Sequence, residues 1–363
     1  MADRWRLALW SVALAIVILL GAAMALGSWA WRAIHEPFQG YSTEEVIIDV
    51  PRGSGAGAIL ESLESAGVLA NAELARLFLI YRMDDPFLRA GEYRFSQPMA
   101  TPDVLDKLVR GDIVTHPVTV IEGLSLLETA QALAAADFGD FAVFLTAMQS
   151  PDRIADLDPE AADLEGYLFP DTYHFAKGAS EEQIVTTMVT TFRRLFQDSV
   201  VPLRAPGDER SAREIVSLAA IVEKEAQLDA EREVIAGVYA HRLRRGMPLQ
   251  ADPTVIYSLT LAGSYDGNLR RDDLKFDSPY NTYVYPGLPP GPIASPGLAS
   301  LQAAASPADV PYLYFVSRND GSHVFAKTLR EHNRNVNEWQ KVYWRKKWAE
   351  ERRQKQAEQS PSN

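Results

Sequence analysis

An apolar helical run, Ser217-Leu-Ala-Ala-Ile-Val-Glu-Lys-Glu-Ala226, ends by presenting two carboxylates, Glu223 and Glu225, with Lys224 between them. Elimination also points to carboxylates as the chain's chemical resource. The histidines, His35, His116, His174, His241, His323 and His332, form no H-E-x-x-H or comparable spacing, so no metal site is expected. Cysteine is absent and no serine sits in a G-x-S-x-G elbow, which removes the usual acyl-enzyme nucleophiles. Gly53, Gly55 and Gly57 miss the G-x-G-x-x-G spacing, so a dinucleotide site is rejected and no cofactor is expected. Glycoside cleavage is the chemistry that carboxylates perform unaided.

At about 100° per residue, Ile215, Leu218, Ala219, Val222 and Ala226 define the buried face of the helix. Glu223 falls on one flank of that face and Glu225 on the other, while Lys224 points outward. A carboxyl half-desolvated at a cleft wall has its pKa raised toward the range an acid needs. The plainer account of an E-K-E run is a solvated helix face with local ion pairs. Helix geometry does not choose between the two glutamates.

The surrounding segments must build the cleft. From Leu249 to Pro296 the chain is crowded with Asp, Asn, Tyr, Pro and Gly and reads as a set of loops. Gln250, Asp252, Asn281 and Tyr283 there offer neutral and charged hydrogen-bonding groups. Gly287-Leu-Pro-Pro-Gly-Pro-Ile-Ala-Ser-Pro296 is too rich in proline for a helix or a central strand, so it reads as a stiff wall. Upstream, Leu164-Glu-Gly-Tyr-Leu-Phe-Pro-Asp-Thr-Tyr173 is a structured loop with strand character. It is either scaffolding, with its aromatics in the core, or a stacking wall of Tyr167, Phe169 and Tyr173 with Glu165 or Asp171 accepting from hydroxyls. Tyr312 to Ser317 and His323 to Ala326 flank Asn319-Asp-Gly321 as a β-hairpin. A terminal helix toward Trp348 gathers Lys341, Arg345, Lys346, Lys347, Arg352 and Arg353 with Trp344 and Trp348, and reads as a solvated helix before a polar tail.

The N-terminus places all this relative to a membrane. Leu7 to Trp31 carries no charge, long enough as a helix to cross a bilayer of about 30 Å. Arg4 and Arg6 precede it and Glu36, Glu44 and Glu45 follow, so the positive-inside bias puts the N-terminus in the cytoplasm and the bulk of the chain outside. A cleaved signal peptide is the competing account, with Ala23-Met-Ala25 as its small-residue site, but the apolar core is long for one. The net charge of −12 argues against nucleic acid as a partner. Val46 to His116 reads as a small α+β module: a strand over Glu45 to Pro51, helices around Ile59–Val68 and 71–82, a strand within 88–95, and a helix opened by Thr101-Pro102.

Several long motifs occur in a telling order: Glu165-Gly-Tyr-Leu-Phe-Pro-Asp-Thr-Tyr173, Ile221-Val-Glu-Lys-Glu225, Leu249-Gln-Ala-Asp-Pro-Thr-Val-Ile-Tyr257, Tyr280-Asn-Thr-Tyr283, Gly287-Leu-Pro-Pro-Gly-Pro-Ile293 and Pro311-Tyr-Leu-Tyr-Phe-Val316. Together they resemble the endolytic murein transglycosylase family (MltG, YceG-like), over nearly the whole chain. The resemblance implies an α+β architecture: a cytoplasmic N-terminus and transmembrane helix over 1–36, a LysM-like module over 42–116, a mixed α+β catalytic domain over 117–345, and a polar, disordered tail over 346–363. It implies a lytic transglycosylase (EC 4.2.2 class) of the inner membrane, single-pass, with its catalytic domain periplasmic. Its substrate is then the bond between N-acetylmuramic acid and N-acetylglucosamine in nascent peptidoglycan strands. Cleavage leaves a 1,6-anhydro end and terminates elongation, with functional contact to cell-wall synthases. It also assigns the acid–base to the first glutamate of the E-K-E stretch, here Glu223. Glu225, Gln250, Asp252, Asn281, Tyr283 and Glu165 are then candidates to bind substrate. A LysM-like module either binds glycan or spaces the catalytic part from the membrane. Two rival functions remain: a muramidase that uses water, and a non-catalytic glycan-binding scaffold of cell-wall synthesis.

Overall fold

The computed structural model describes residues 2–82 and 87–358, and the chain divides into two units. Unit 1 holds residues 1–117 and 174–177; unit 2 holds 118–173 and 178–363.

Unit 1 opens with helix α1 (Ala2–His35). Within its stretch Leu9–His35 an 18-residue window reaches a mean hydropathy of 2.5 with its apolar side chains exposed, so by length and composition this helix is able to cross a membrane. Strand β1 (Val46–Val50), helices α2 (Ala56–Ser65) and α3 (Ala72–Arg82), strand β2 (Gly91–Phe95) and helix α4 (Thr101–Arg110) come next. The strands pair antiparallel, Ile48 opposite Tyr93 and Val46 opposite Phe95. Alternation then puts Ile48, Val50, Tyr93 and Phe95 on one face, over Leu60, Leu63, Leu105 and Leu108. Gly67 ends α2 with a positive φ of 75°, and any side chain there would collide with the backbone of Gly40 and Tyr41.

β3 (Thr115–Thr119) pairs with β4 (Thr172–Ala176), and the chain passes between the units within these strands. Unit 2 continues with α5 (Leu126–Ala135), α6 (Phe141–Met148) and α7 (Glu181–Leu195). Then come α8 (Ala212–Glu225), α9 (Arg232–Arg244), α10 (Asp252–Leu261) and α11 (Leu298–Ala305). Hairpin β5 (Tyr314–Ser317) and β6 (His323–Ala326) is antiparallel, and α12 (Leu329–Val336) leads to α13 (Tyr343–Glu358). The chain is therefore mixed α+β, with an apolar N-terminal helix.

Helix α8 is the axis of unit 2. Ser211 and Glu214 form a reciprocal capping box at its start. Every residue from Ile215 to Val222 is buried, with α9, α10 and α11 packed around it. Each such Ile, Leu or Val contributes roughly 1.5–3 kcal/mol by leaving water. The last turn of this enclosed helix carries its two neighbouring carboxylates, Glu223 and Glu225.

Two segments differ from expectation. The region from Leu249 to Pro296 is not all loop, because it contains α10: Pro253 occupies the first turn, where its missing N–H costs nothing, and Val255 and Leu259 supply a buried face. The terminal helix runs on to Glu358, past the start of the expected tail; the side chain of Lys346 and residues 359–363 lie outside the described residues.

Candidate active site

α8 stops at Glu225 because Ala226 turns extended (φ −81°, ψ 120°). The two glutamates of its last turn then enter different surroundings.

Glu223 is spent on a buried cluster. Its Oε2 accepts the Gly297 N–H at 3.0 Å, Arg232 Nη2 lies 3.5 Å from Oε1, and the side chain is only 8% exposed. Arg232 also pairs with Asp229 and donates to Ser300 Oγ at 3.1 Å. Glu122 joins the cluster, its carboxyl pushed up by burial and by the charge of Glu223. A side chain on Gly297 would collide with Glu122, so glycine lets the start of α11 come this close. Lys224, exposed along its stem, donates to the Gly123 carbonyl at 3.0 Å, and Gly123 N–H donates to Ser295 O at 2.9 Å. The last turn of α8 is thus tied to the 122–124 turn, to α9 and to α11.

Glu225 enters a cavity of about 430 Å³. Tyr239 and Arg242 of α9 line it, as do Leu249, Gln250 and Asp252 at the start of α10 and Tyr283 of the loop beyond that helix. The far wall is the β5–β6 hairpin together with α12 and the turn after it: Phe315 to Ser317, His323, His332 and Gln340. Glu225 keeps part of its surface open to this space while its neighbours enclose the carboxyl. Burial first, and the charge of Asp252 second, push its pKa up to about 7. The Tyr239 hydroxyl, donating to Oε1 at 3.1 Å, and the Arg242 guanidinium act against that shift.

Other wall groups are fixed in place. The Tyr283 hydroxyl donates to Asp252 Oδ1 at 2.6 Å. Gln250 adopts a left-handed φ of 52° and donates its N–H to Thr282 O at 3.1 Å, which turns the chain sharply into α10. Arg242 donates from Nε to Leu313 O and from Nη1 to Leu249 O, both at 2.6 Å, with its guanidinium over the Tyr314 ring; burial lowers its pKa. His323 Nδ1 meets Glu231 Oε2 at 2.7 Å. His332 stacks on Tyr314, burial and Arg242 lower its pKa, and its Nδ1 has no hydrogen-bond partner among the described residues.

Of the candidates from sequence, the fold brings Glu225, Gln250, Asp252 and Tyr283 to one cavity. Glu223, Glu165 and Asn281 do not line it. Glu165 is buried and accepts the Leu126 N–H on both oxygens at 3.0 Å, capping α5, with the Tyr257 hydroxyl at 3.1 Å; burial pushes it up to about 8. Asn281 is fully buried, its amide donating to Leu274 O and Phe276 O and its oxygen accepting from Tyr283 N–H, so it orders the loop. Tyr167, Phe169 and Tyr173 are core rather than a sugar wall, at 1%, 6% and 6% exposure.

Tyr239, Arg242, His323 and His332 carry no motif that singles them out in the sequence. Arg242 did leave a signal. It continues the buried line of Ile235, Val238 and Tyr239, whereas Arg244 and Arg245 are exposed helix-end cations. Among the described residues no group of three or more His, Cys, Asp or Glu is arranged to hold a metal ion.

Residues 48–338 match the model of the YceG-like family. A Bacillus subtilis protein named "Endolytic murein transglycosylase" is 32% identical over 333 residues, covering 87% of this chain and 90% of that protein. A Streptococcus pneumoniae protein of the same name is 28% identical over 359 residues, and the chain spans 64% of its length. A crystal structure of a yceG-like protein from Listeria monocytogenes superposes with a TM-score of 0.52 at 34% identity, over 81% of this chain and 99% of that one.

Proposed function

The chain belongs to the YceG-like family, and from that premise we propose that it is a membrane-anchored lytic transglycosylase, a lyase of peptidoglycan, with Glu225 as its acid–base. One observation carries the assignment: Glu225 is a carboxyl held at about 7 in the wall of an open cavity, where it is part protonated at neutral pH and within reach of a ligand. Glu223, the residue that the family resemblance selects from sequence, has its oxygens committed to Gly297 and Arg232 and no opening on that cavity. Its part is to fix the turn from which Glu225 projects.

Protonated Glu225 donates to the glycosidic oxygen between N-acetylmuramic acid and N-acetylglucosamine as the C1–O bond breaks and positive charge builds at C1. The muramoyl 6-hydroxyl oxygen then bonds to C1, its proton passes to the Glu225 carboxylate, and a 1,6-anhydro end remains. The proton count closes on Glu225 alone. Gln250, Asp252 and Tyr283 supply the polar wall for the sugar.

Helix α1 anchors the enzyme, with the N-terminus cytoplasmic and both units outside the inner membrane. The β–α–α–β order of β1, α2, α3 and β2 is read as a LysM-like module that touches glycan near the bilayer. Cutting nascent strands there ends their elongation, which calls for functional contact with the synthases that extend them. Mass spectrometry of glycan strands digested by the full-length protein tests the reaction. Anhydro ends support it, reducing ends make the enzyme a muramidase, and uncut strands with retained binding make it a scaffold.

A further inference from the structure

Resting on the reading of Glu225 as the acid, we propose that Asp252 is a second catalytic carboxylate, an anion set by the Tyr283 hydroxyl to face the positive charge that develops at the anomeric carbon. Asp252 and Glu225 line the same cavity. Asp252 has no ion-pair partner among the described residues; its side chain is held by the neutral Tyr283 hydroxyl at 2.6 Å, so its charge is free to act on a ligand.

Its position is rigid. Asp252 is the first residue of α10, and Thr282 Oγ1 accepts the neighbouring Ala251 N–H at 3.0 Å and lies 2.9 Å from Thr254 Oγ1. Those contacts lock the start of α10 to the turn that carries Tyr283. A carboxylate that merely bound solvent would not need such a frame.

The other charged and titratable groups around Glu225 have partners of their own or are disfavoured as ions. Tyr239 donates to Glu225 itself, Arg242 spends Nε and Nη1 on backbone carbonyls, His323 is paired with Glu231, and burial disfavours the charged form of His332. Asp252 is the uncompensated anion. Its charge, after burial, also helps to raise the pKa of Glu225, in keeping with their shared cavity. With Glu225 as the proton carrier, Asp252 is left for the other task in the same cavity, facing the positive charge that develops on the sugar. As the glycosidic bond breaks, Asp252 forms no bond and takes no proton. It offsets the charge shared by C1 and the ring oxygen until the 6-hydroxyl oxygen closes on C1.

Full-length wild type, Asp252→Asn and Tyr283→Phe, assayed on purified glycan strands across pH, decide the matter. Asp252→Asn is expected to lower kcat by about 10- to 1,000-fold, with KM within about threefold. The alkaline limb of kcat/KM should move down by roughly one pH unit, since a neighbouring negative charge is gone. Tyr283→Phe should lower kcat less. Wild-type kcat with an unmoved limb, or a rise in KM alone, overturns the proposal and leaves Asp252 a binding residue. Should Asp252→Asn lose the native melting transition, Tyr283→Phe decides: wild-type kcat there also overturns it. Failure of the underlying reading looks different, as absence of anhydro ends from wild type or full activity in Glu225→Gln.

Discussion

The Tyr239 hydroxyl donates to Glu225 Oε1 at 3.1 Å, a bond between α9 and the end of α8 that opposes the effect of burial on the same carboxyl. It holds the acid in one orientation and favours its charged form. Tyr239→Phe removes that donor, so the pKa of Glu225 should rise. The alkaline limb of kcat/KM is expected to move up by about 0.5–1 pH unit, opposite to Asp252→Asn, while kcat falls through looser positioning. An alkaline limb that stays put in Tyr239→Phe contradicts this role of the contact.

Glu165 makes stability fall with pH. Its folded carboxyl sits at about 8 against an ordinary 4.5, so the folded chain holds this proton more tightly than the unfolded chain. The stabilisation is complete below pH 4.5 and is lost as pH rises through 8; Glu225, at about 7, acts with the same sign. Unfolding by urea between pH 5 and 9 should show wild type losing on the order of 6 kcal/mol from these groups together, the larger part from Glu165. Glu165→Gln, which keeps an acceptor for Leu126 N–H, should flatten that slope. An unchanged slope in the variant places the pH dependence elsewhere.

The Glu223 cluster should matter to stability more than to proton transfer. Glu223→Ala strips the Gly297 N–H of its acceptor and leaves Arg232 with Asp229 and Ser300, which costs about 1–3 kcal/mol. Glu223→Gln retains an oxygen for Gly297 and should lose less than half of that. Urea midpoints of the two variants test the ordering; equal losses would assign the effect to charge alone.

Local signals carried much of the architecture. Alternation placed β1, proline and glycine placed the ends of α4, and the Asn319-Asp-Gly321 turn placed the β5–β6 hairpin. α10 was hidden because Asp252 and Pro253, turn formers by propensity, here serve as a helix start whose apolar side packs on α8. The two glutamates show where local reading stops. A helical wheel puts both on the flanks of one face, and their difference arises from partners far along the chain: Gly297, 74 residues beyond Glu223, and Asp252 and Tyr283 in the segments beyond Glu225. Glu165 and Asn281 have the composition of sugar ligands, yet both are satisfied by backbone groups that only the folded chain brings to them.

Glu225 as the acid–base, with Glu223 as its support, is the claim on which the mechanism turns. The most direct measurement counts anhydro ends released per minute from purified glycan strands by full-length Glu225→Gln and Glu223→Gln, each checked for a native melting transition. The expected result is a loss of at least about 100-fold for Glu225→Gln and no more than about tenfold for Glu223→Gln. Near-complete loss in Glu223→Gln with activity kept in Glu225→Gln would contradict it.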